Sequence, residues 1–565
     1  MKFSKLAGVF EKLEKVSSGN KMRGILAGFF KKVPGKEIAI AAYFTTGRIA
    51  SQYEDIVINL AEKMVIKSIA EASGRPEKDV NEVYKDKGDI GLVAEKFCSN
   101  GGNLSLKDVF KSLRKIAEMS GKGSQGGKIT ALADLLKKAS GIEARYVARL
   151  VLGTLRLGVG DMTVLDALSI AFTGSKEAKK DLEHAYNICP DIGEMAEIIA
   201  GRGVKGIKKI NVRLGRPVRM MLAQRVKKIK AIKEKIPGKI DVEEKYDGER
   251  MQIHVDGKKI RIFSRRMDDI TSQFPDVVEQ VRKNIKSKKC VIEGECVAVD
   301  KKGNMLPFQK LMQRRRKYDV EEYVRKIPVC LYLFDLLYLK GESYIRKGLP
   351  DRHKALKSIV KDTRHLKFVK RIITEEIDEL EDFFNKSVSR GGEGIIAKDY
   401  SEDSIYRAGT RGWLWIKWKQ EYQKMADTFD LVVVGAYAGR GKRAGTYGAL
   451  LCAVYNREKD EFDTFCKLGS GFTDKQLEEL PKKLKKFKIK KKHARVNIKK
   501  SMKPDVYFTP SVVVEVLGAE ITRSPSHSAG EDLALRFPRF RNYRPDKSPE
   551  QATTVKEVTQ MFKKK

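Results

Sequence analysis

Glu243-Glu244-Lys245-Tyr246-Asp247-Gly248-Glu249-Arg250 sets a lysine beside carboxylates, a turn and an arginine. A lysine amine attacks only when unprotonated, so such a site must lower its pKa by desolvation or by nearby positive charge, from a metal ion or Arg250. Gly248 allows a sharp turn after Asp247, and Arg250 offers a planar fork of donors suited to phosphate oxygens. Met251, Ile253 and Val255 then alternate before an Asp256-Gly257 turn and a second strand through Ile260 and Ile262. This pattern predicts a β-hairpin with Lys245 at a strand end on a rigid sheet. Attack by that amine on the α-phosphate of a nucleotide would give a phosphoramide and expel pyrophosphate. In a lysine-rich chain Lys-x-Asp-Gly also arises by chance, so its companions downstream decide the reading.

Outward from that stretch, 565 residues are too many for one ordinary core and predict about three domains. The net charge of +40 is far beyond what solubility requires and points to a polyanionic partner, nucleic acid before an acidic membrane. A membrane is disfavoured because the longest apolar run, Ile327 to Leu339, is interrupted by Asp335 and resembles a buried strand. The N-terminus from Met1 to Phe10 lacks a signal-peptide core, so the expectation is a cytoplasmic protein. Seven scattered cysteines include no Cys-x-x-Cys pair, and six dispersed histidines give a Ser-His or Cys-His hydrolase no support. Hard divalent cations held by carboxylates stay open.

Residues 1–210 read as mostly helical. Leu6, Val9, Phe10, Leu13 and Val16 recur at helical spacing, as do Ile56, Leu60, Met64 and Ile69. Gly121 to Gly126 matches a dinucleotide fingerprint in letters but follows an amphipathic helical stretch, so a polar loop is expected. In the segment Arg145 to Leu168, Arg149 and Arg156 punctuate an apolar helix that ends at glycines, with a second helix starting after Asp161 or Thr163. That arrangement is either a solvated face or a surface for phosphates. Asn211 to Gln224 reads as a linker, 240–420 as short β segments alternating with helices such as 375–390, and the chain beyond 425 as a small barrel. Gly435 to Lys442 fails as a P-loop, since its first glycine is misplaced and Arg443 stands where Ser or Thr should be. Residues 481–500 carry eleven Lys or Arg and no acid, a solvated face or a track for a phosphate backbone.

Four clusters follow Lys245 in order: Val291-Ile-Glu-Gly-Glu295, expected to end a strand with a carboxylate; Leu333-Phe-Asp-Leu-Leu-Tyr338; Gly392-Glu-Gly-Ile-Ile-Ala-Lys398; and Trp415-Ile-Lys-Trp-Lys419. The last projects two lysines from one face of a strand. With Leu535-Arg-Phe-Pro-Arg-Phe540 and Arg544-Pro-Asp-Lys-Ser-Pro-Glu-Gln-Ala-Thr553, the chain resembles the ATP-dependent DNA ligases of the archaeal and eukaryotic replicative type, members of the covalent nucleotidyltransferase superfamily.

The resemblance implies a multidomain fold: an all-α DNA-binding domain over 1–215, an α+β adenylation domain over 216–423 and an OB-fold β-barrel over 424–565. It implies that Lys245 takes AMP, that Glu243 recognises the adenine amino group and that Arg250 and Glu295 hold the ribose. Arg265 would lie near the phosphate, Phe334 would stack on adenine, and Arg411, Lys417 and Lys419 would bind phosphates. Glu295 and Glu393, with Asp247, would hold magnesium or manganese. Arg544, Asp546 and Lys547 would serve the lysine-adenylation step by reaching over the pyrophosphate. The implied substrates are ATP and nicked double-stranded DNA, the implied state a monomer, and the implied roles DNA replication, repair and recombination. A sliding clamp is a further family partner, yet no Gln-plus-paired-aromatic box is legible here, and Met220 stands where relatives often place a proline. The alternatives are an RNA ligase or capping-type nucleotidyltransferase, and a non-catalytic DNA-binding protein. NAD-dependent ligases fit less well because their cysteine zinc module is missing.

Overall fold

Apolar residues at helical spacing fold the first 208 residues into helices in a computed structural model that describes residues 1–58, 60–121, 123–155, 157–226, 228–314, 319–419, 428–439 and 445–563. Helix Phe3–Glu14 buries Phe3, Leu6, Ala7, Phe10 and Leu13 on one side. Helix Leu106–Glu118 begins at a reciprocal cap, in which Ser105 Oγ accepts from the Asp108 amide and the Asp108 carboxylate from the Ser105 amide, both at 3.1 Å.

Two local expectations change. The stripe from Ile56 to Ile69 is split, because the helix spans Glu62–Ser73 and leaves Ile56 and Leu60 in the preceding loop, where Asp55 turns left-handed at φ 53°. The Gly121–Gly126 stretch is partly helical instead of a loop: Gly123, at φ 84°, caps Ser124–Lys137.

The chain divides into two units, Met1–Gln420 and Glu421–Lys565. In the first unit, a five-stranded sheet runs in the order Leu222–Arg225, Arg411–Lys419, Gly394–Asp399, Ile240–Lys245, Arg371–Thr374. A six-stranded sheet runs Lys259–Ser264, Glu249–Asp256, Lys289–Ala298, Val329–Leu339, Glu342–Ser343, with Leu366–Phe368 parallel to Val329–Leu339. The expected hairpin is present, although Asp256 closes the ladder against Lys259, so the turn is Gly257-Lys258 with Gly257 at φ 61°. The apolar strand Val329–Leu339 tolerates buried Asp335 because Arg352, equally buried, pairs with it at 2.7 Å. The helical core continues without a break into Val218, Met221, Tyr246, Phe334 and Trp415, so the helices brace the sheets that carry the site.

In the second unit, strands run Lys488–Ile489, Val506–Leu517, Thr428–Ala438, Tyr447–Asn456, Glu461–Leu468, Val496–Asn497, with Arg539–Tyr543 pairing Val506–Leu517. This is the expected small OB-type barrel, closed on one side by helix Asp474–Leu484, whose Leu477, Leu480 and Leu484 enter the core. All seven cysteines are free and buried. Among the described residues, no helix is long and apolar enough to cross a membrane.

Candidate active site

Strand alternation puts Asp241, Glu243 and Lys245 on one face of Ile240–Lys245. Register extends that face: Glu243 pairs with Ile396 and Lys245 with Gly394, while Lys398, Ile396 and Gly394 pair in turn with Trp415, Lys417 and Lys419. Gly394 is obligatory between the two lysines, since a Cβ there would lie 2.2 Å from the Trp418 carbonyl. Lys417 and Lys419 thus share the face of Lys245 from the strand beyond Gly394–Asp399, the same-face projection expected from their spacing. Glu393 bridges them, its Oε2 lying 2.5 Å from Lys245 Nζ and 2.8 Å from Lys419 Nζ. Burial, with Lys245, Lys419, Arg411 and Arg265 nearby, lowers the pKa of Lys417.

The opposite wall comes from the second sheet, where Arg250 stands across from Glu295. Arg250 spends its donors elsewhere, on Glu293 at 2.8 Å and the Met221 carbonyl at 2.8 Å, with Tyr406 completing the Glu293 contact at 2.9 Å. It is therefore anchored away from Lys245, whose cationic neighbours are Lys417 and Lys419. Glu295 does not end its strand; Lys289–Ala298 runs on past it, with a bulge at Glu293/Gly294 that re-aims the chain. Burial, reinforced by Glu393 and Glu249, pushes the Glu295 carboxyl up to about 7 against the pull of Lys245 and Arg250. Gly248 fits under this strand only because it lacks a Cβ, which would meet the Cys296 carbonyl at 2.4 Å.

Between the walls lies a cavity of about 670 Å³, lined by Glu243, Lys245, Asp247, Arg250, Arg265, Glu295, Phe334, Glu393, Arg411, Lys417 and Lys419. Every expected pocket residue is therefore gathered in one place. Arg544, Asp546 and Lys547 belong to the other unit, where they cluster around Asp430. Asp247, Glu295 and Glu393 line this cavity and offer oxygen donors of the kind magnesium or manganese takes; burial with Glu393 nearby raises the Asp247 pKa, whereas burial is outweighed at Glu393 by Lys245 and Lys419, which lower its pKa. A second acidic group, Asp241, Glu243 and His353, fits a metal poorly. Lys398 already lies 2.6 Å from Glu243, Arg371 lies 3.5 Å from Asp241 and also meets His353 Nδ1, and His353 Nε2 lies 3.1 Å from the Phe334 carbonyl.

Lys398 is a site residue that sequence reasoning missed. Its cluster suggests a local pair with Glu393, yet it is 1 % exposed, turned to Glu243, and wedged 4.8 Å from the Phe334 ring and 4.5 Å from that of Trp415. Its position two residues from Ile396, on the face shared with Glu243, was the available signal. Arg149, read as a possible phosphate contact, is 5 % exposed and pairs with Asp89 at 2.9 Å and with Glu14. Arg156 and residues 440–443 of the glycine-rich loop lie outside the described residues. Helix Asp161–Thr173 has no side-chain cap at its N-terminus; Asp161 in its first turn binds Arg48 at 3.0 Å and Arg219 at 3.2 Å.

Three family models match in order along the chain: DNA ligase N terminus over residues 2–169, ATP dependent DNA ligase domain over 220–419, and ATP dependent DNA ligase C terminal region over 443–547. The chain is 47% identical over 572 residues to DNA ligase 1 of Methanosarcina acetivorans, covering 99% of each. It is 44% identical over 592 residues to a DNA ligase of Staphylothermus marinus, covering 100% of this chain and 99% of the relative. The solved structure of Pmar-Lig_PreS3 is similar in fold, with TM-score 0.56, 18% identity, and coverage of 95% of this chain and 99% of that one. With the lysine-bearing cavity and a full-length match of this depth, the chain belongs to the ATP-dependent DNA ligases.

Proposed function

We propose that this chain seals nicks in duplex DNA with ATP through covalent AMP on Lys245, in replication, repair and recombination. The observation that carries the reading is the pairing of Lys245 with Glu393 inside a cavity where the same sheet supplies Lys417 and Lys419. Lys245 Nζ attacks the α-phosphorus of ATP: the N–P bond forms, the bond to the β-phosphoryl oxygen breaks, and pyrophosphate leaves. The amine gives up a proton as the N–P bond forms. AMP then passes to the 5′-phosphate at the nick, and the adjacent 3′-hydroxyl displaces it.

In this reading Glu243 meets the adenine amino group, Phe334 the adenine face, Arg250 and Glu295 the ribose, and Arg265, Arg411, Lys417 and Lys419 the phosphates. Phosphoryl transfer is largely positioning and charge neutralisation, which a cavity lined by cations supplies. Glu295 and Glu393, with Asp247, would hold a divalent cation that neutralises charge on the phosphate oxygens. Arg544, Asp546 and Lys547 take the pyrophosphate during lysine adenylation. The working domains are 1–215, 216–423 and 424–565, and the exposed lysines of 482–492 track duplex phosphates. Action as a cytoplasmic monomer belongs to the same reading. The match over 2–169 to a DNA ligase N terminus favours DNA over an RNA ligase or capping-type activity.

Incubation with α-labelled ATP and magnesium should leave acid-labile label on the wild type through denaturing electrophoresis, and nicked DNA should chase it. Lys245→Ala should carry none. Wild type purified free of AMP that takes no label would leave only a DNA-binding protein.

A further inference from the structure

Arg544 and Lys547 converge on a residue that no motif includes. Asp430 lies on Thr428–Ala438, 114 positions before Arg544. Its two oxygens accept from Arg544 Nη1 at 3.0 and 3.2 Å, and its Oδ2 accepts from Lys547 Nζ at 2.5 Å. Asp546 takes the other edge of the same guanidinium, from Nε at 2.9 Å and Nη2 at 2.7 Å. Backbone bonds fix Asp430 to the segment beyond: its amide donates to Thr553 Oγ1 at 2.9 Å and its carbonyl accepts from the Thr553 amide at 2.8 Å.

The exposures are unequal in an informative way. Asp430 is 14% exposed, whereas Arg544 and Lys547 are 28% and 31% exposed. A mostly buried carboxylate on a barrel strand therefore holds two cations whose heads reach solvent. Left alone, each of those side chains would sample many rotamers and lose that freedom only on meeting its ligand. Two acids and two bases also balance, so the cations sit near one another without net repulsion. Asp430 and Asp546 together engage all three guanidinium nitrogens of Arg544, while Lys547 gives Asp430 one of its three ammonium N–H groups and keeps others for phosphate oxygens.

We propose that Asp430 is a positioning residue for lysine adenylation, holding Arg544 and Lys547 as one preformed clamp for the departing pyrophosphate. The proposal rests on the reading of those two cations as pyrophosphate contacts. A clamp that is already ordered when the polyphosphate arrives spends no further rotamer entropy in the transition state.

The test separates two steps on the full chain: single-turnover transfer of labelled AMP to Lys245, and closure of a nick that already carries AMP on its 5′-phosphate. Asp430→Asn should slow labelling by about tenfold to a hundredfold, while closure of the pre-adenylated nick stays within about twofold. Asp430→Glu should recover part of the loss. On an Arg544→Ala/Lys547→Ala background, Asp430→Asn should cost nothing more, because nothing remains for it to hold. Labelling of Asp430→Asn at the wild-type rate would overturn the proposal, as would an equal fall in both steps or a further loss on the double background. If Arg544→Ala and Lys547→Ala label normally, the pyrophosphate reading fails first and takes the proposal with it.

Discussion

The Lys245 pocket and the Asp430 cluster both hold cations beside carboxylates, but they do it by different means. In the pocket, position is set by strand register: Lys245, Gly394 and Lys419 lie in one rank across three strands. A one-residue slip would turn every one of these side chains to the other face, so the geometry is defended by the whole sheet. In the barrel, both cations come from one short turn and share one carboxylate from a distant strand, with Asp546 holding the other edge of Arg544. The difference teaches where each region is fragile. The pocket is robust in geometry but intolerant of unbalanced charge; the cluster is tolerant in stability but loses its geometry with one side chain.

The largest expected effect tests the pocket's chemistry. Lys245→Ala removes the bond-forming atom, so covalent labelling should fall below detection, about a thousandfold or more, with the melting temperature nearly unchanged. Retained label would move the nucleophile elsewhere and dissolve the comparison. Next comes charge balance: Lys398→Met leaves Glu243 buried without its cation and should lower unfolding free energy by about 3–5 kcal/mol while raising the KM for ATP. A neutral outcome in urea unfolding would show that the pocket tolerates imbalance as well as the barrel does.

A third prediction concerns pH. Burial and Arg261 lower the pKa of His254 to about 3 from 6.5, and the neutral ring accepts from the Gly215 amide at 3.1 Å. Above pH 6.5 both folded and unfolded forms are neutral and stability is full. As pH falls from 6.5 towards 3 the unfolded chain takes the proton and the folded chain does not. Stability of the first unit should then drop by about 1.4 kcal/mol per pH unit. His254→Asn should flatten that slope, and an unchanged slope would place the acid sensitivity at another group. The smallest effect belongs to the barrel's exposed lysines. Replacing Lys485, Lys488, Lys490 and Lys491 by Gln should reduce the dependence of log K for nicked duplex on log salt by about 3, with adenylation untouched. An unchanged slope would make the ribbon a solvated face.

The sequence made the composition of the pocket around Lys245 and the three-part architecture legible, because each rests on local spacing and on motifs. Pairings that depend on register or on distant strands were hidden. Arg250 faces Glu295 by register yet spends its charge on Glu293, its diagonal neighbour opposite Gln252. Lys398 finds Glu243 across a strand pair instead of Glu393 in its own cluster. Arg149 was read as a candidate phosphate contact, and its burial became visible only when helices bearing Asp89 and Glu14 closed on it. Ile56 and Leu60 kept helical spacing in a segment where left-handed Asp55 prevents a helix.

The buried cysteines open a practical route to watching this enzyme move. Burial pushes Cys98, Cys189 and Cys330 up to about 11 and Cys290 up to about 12, so native thiols will be slow to alkylate at neutral pH. Cysteines introduced at Asp86 and Glu531, whose side chains are 75% and 81% exposed, would then react first with maleimide dyes. A donor and acceptor at those two places, one in each unit, turn the separation of the units into a fluorescence signal that can be followed turnover by turnover.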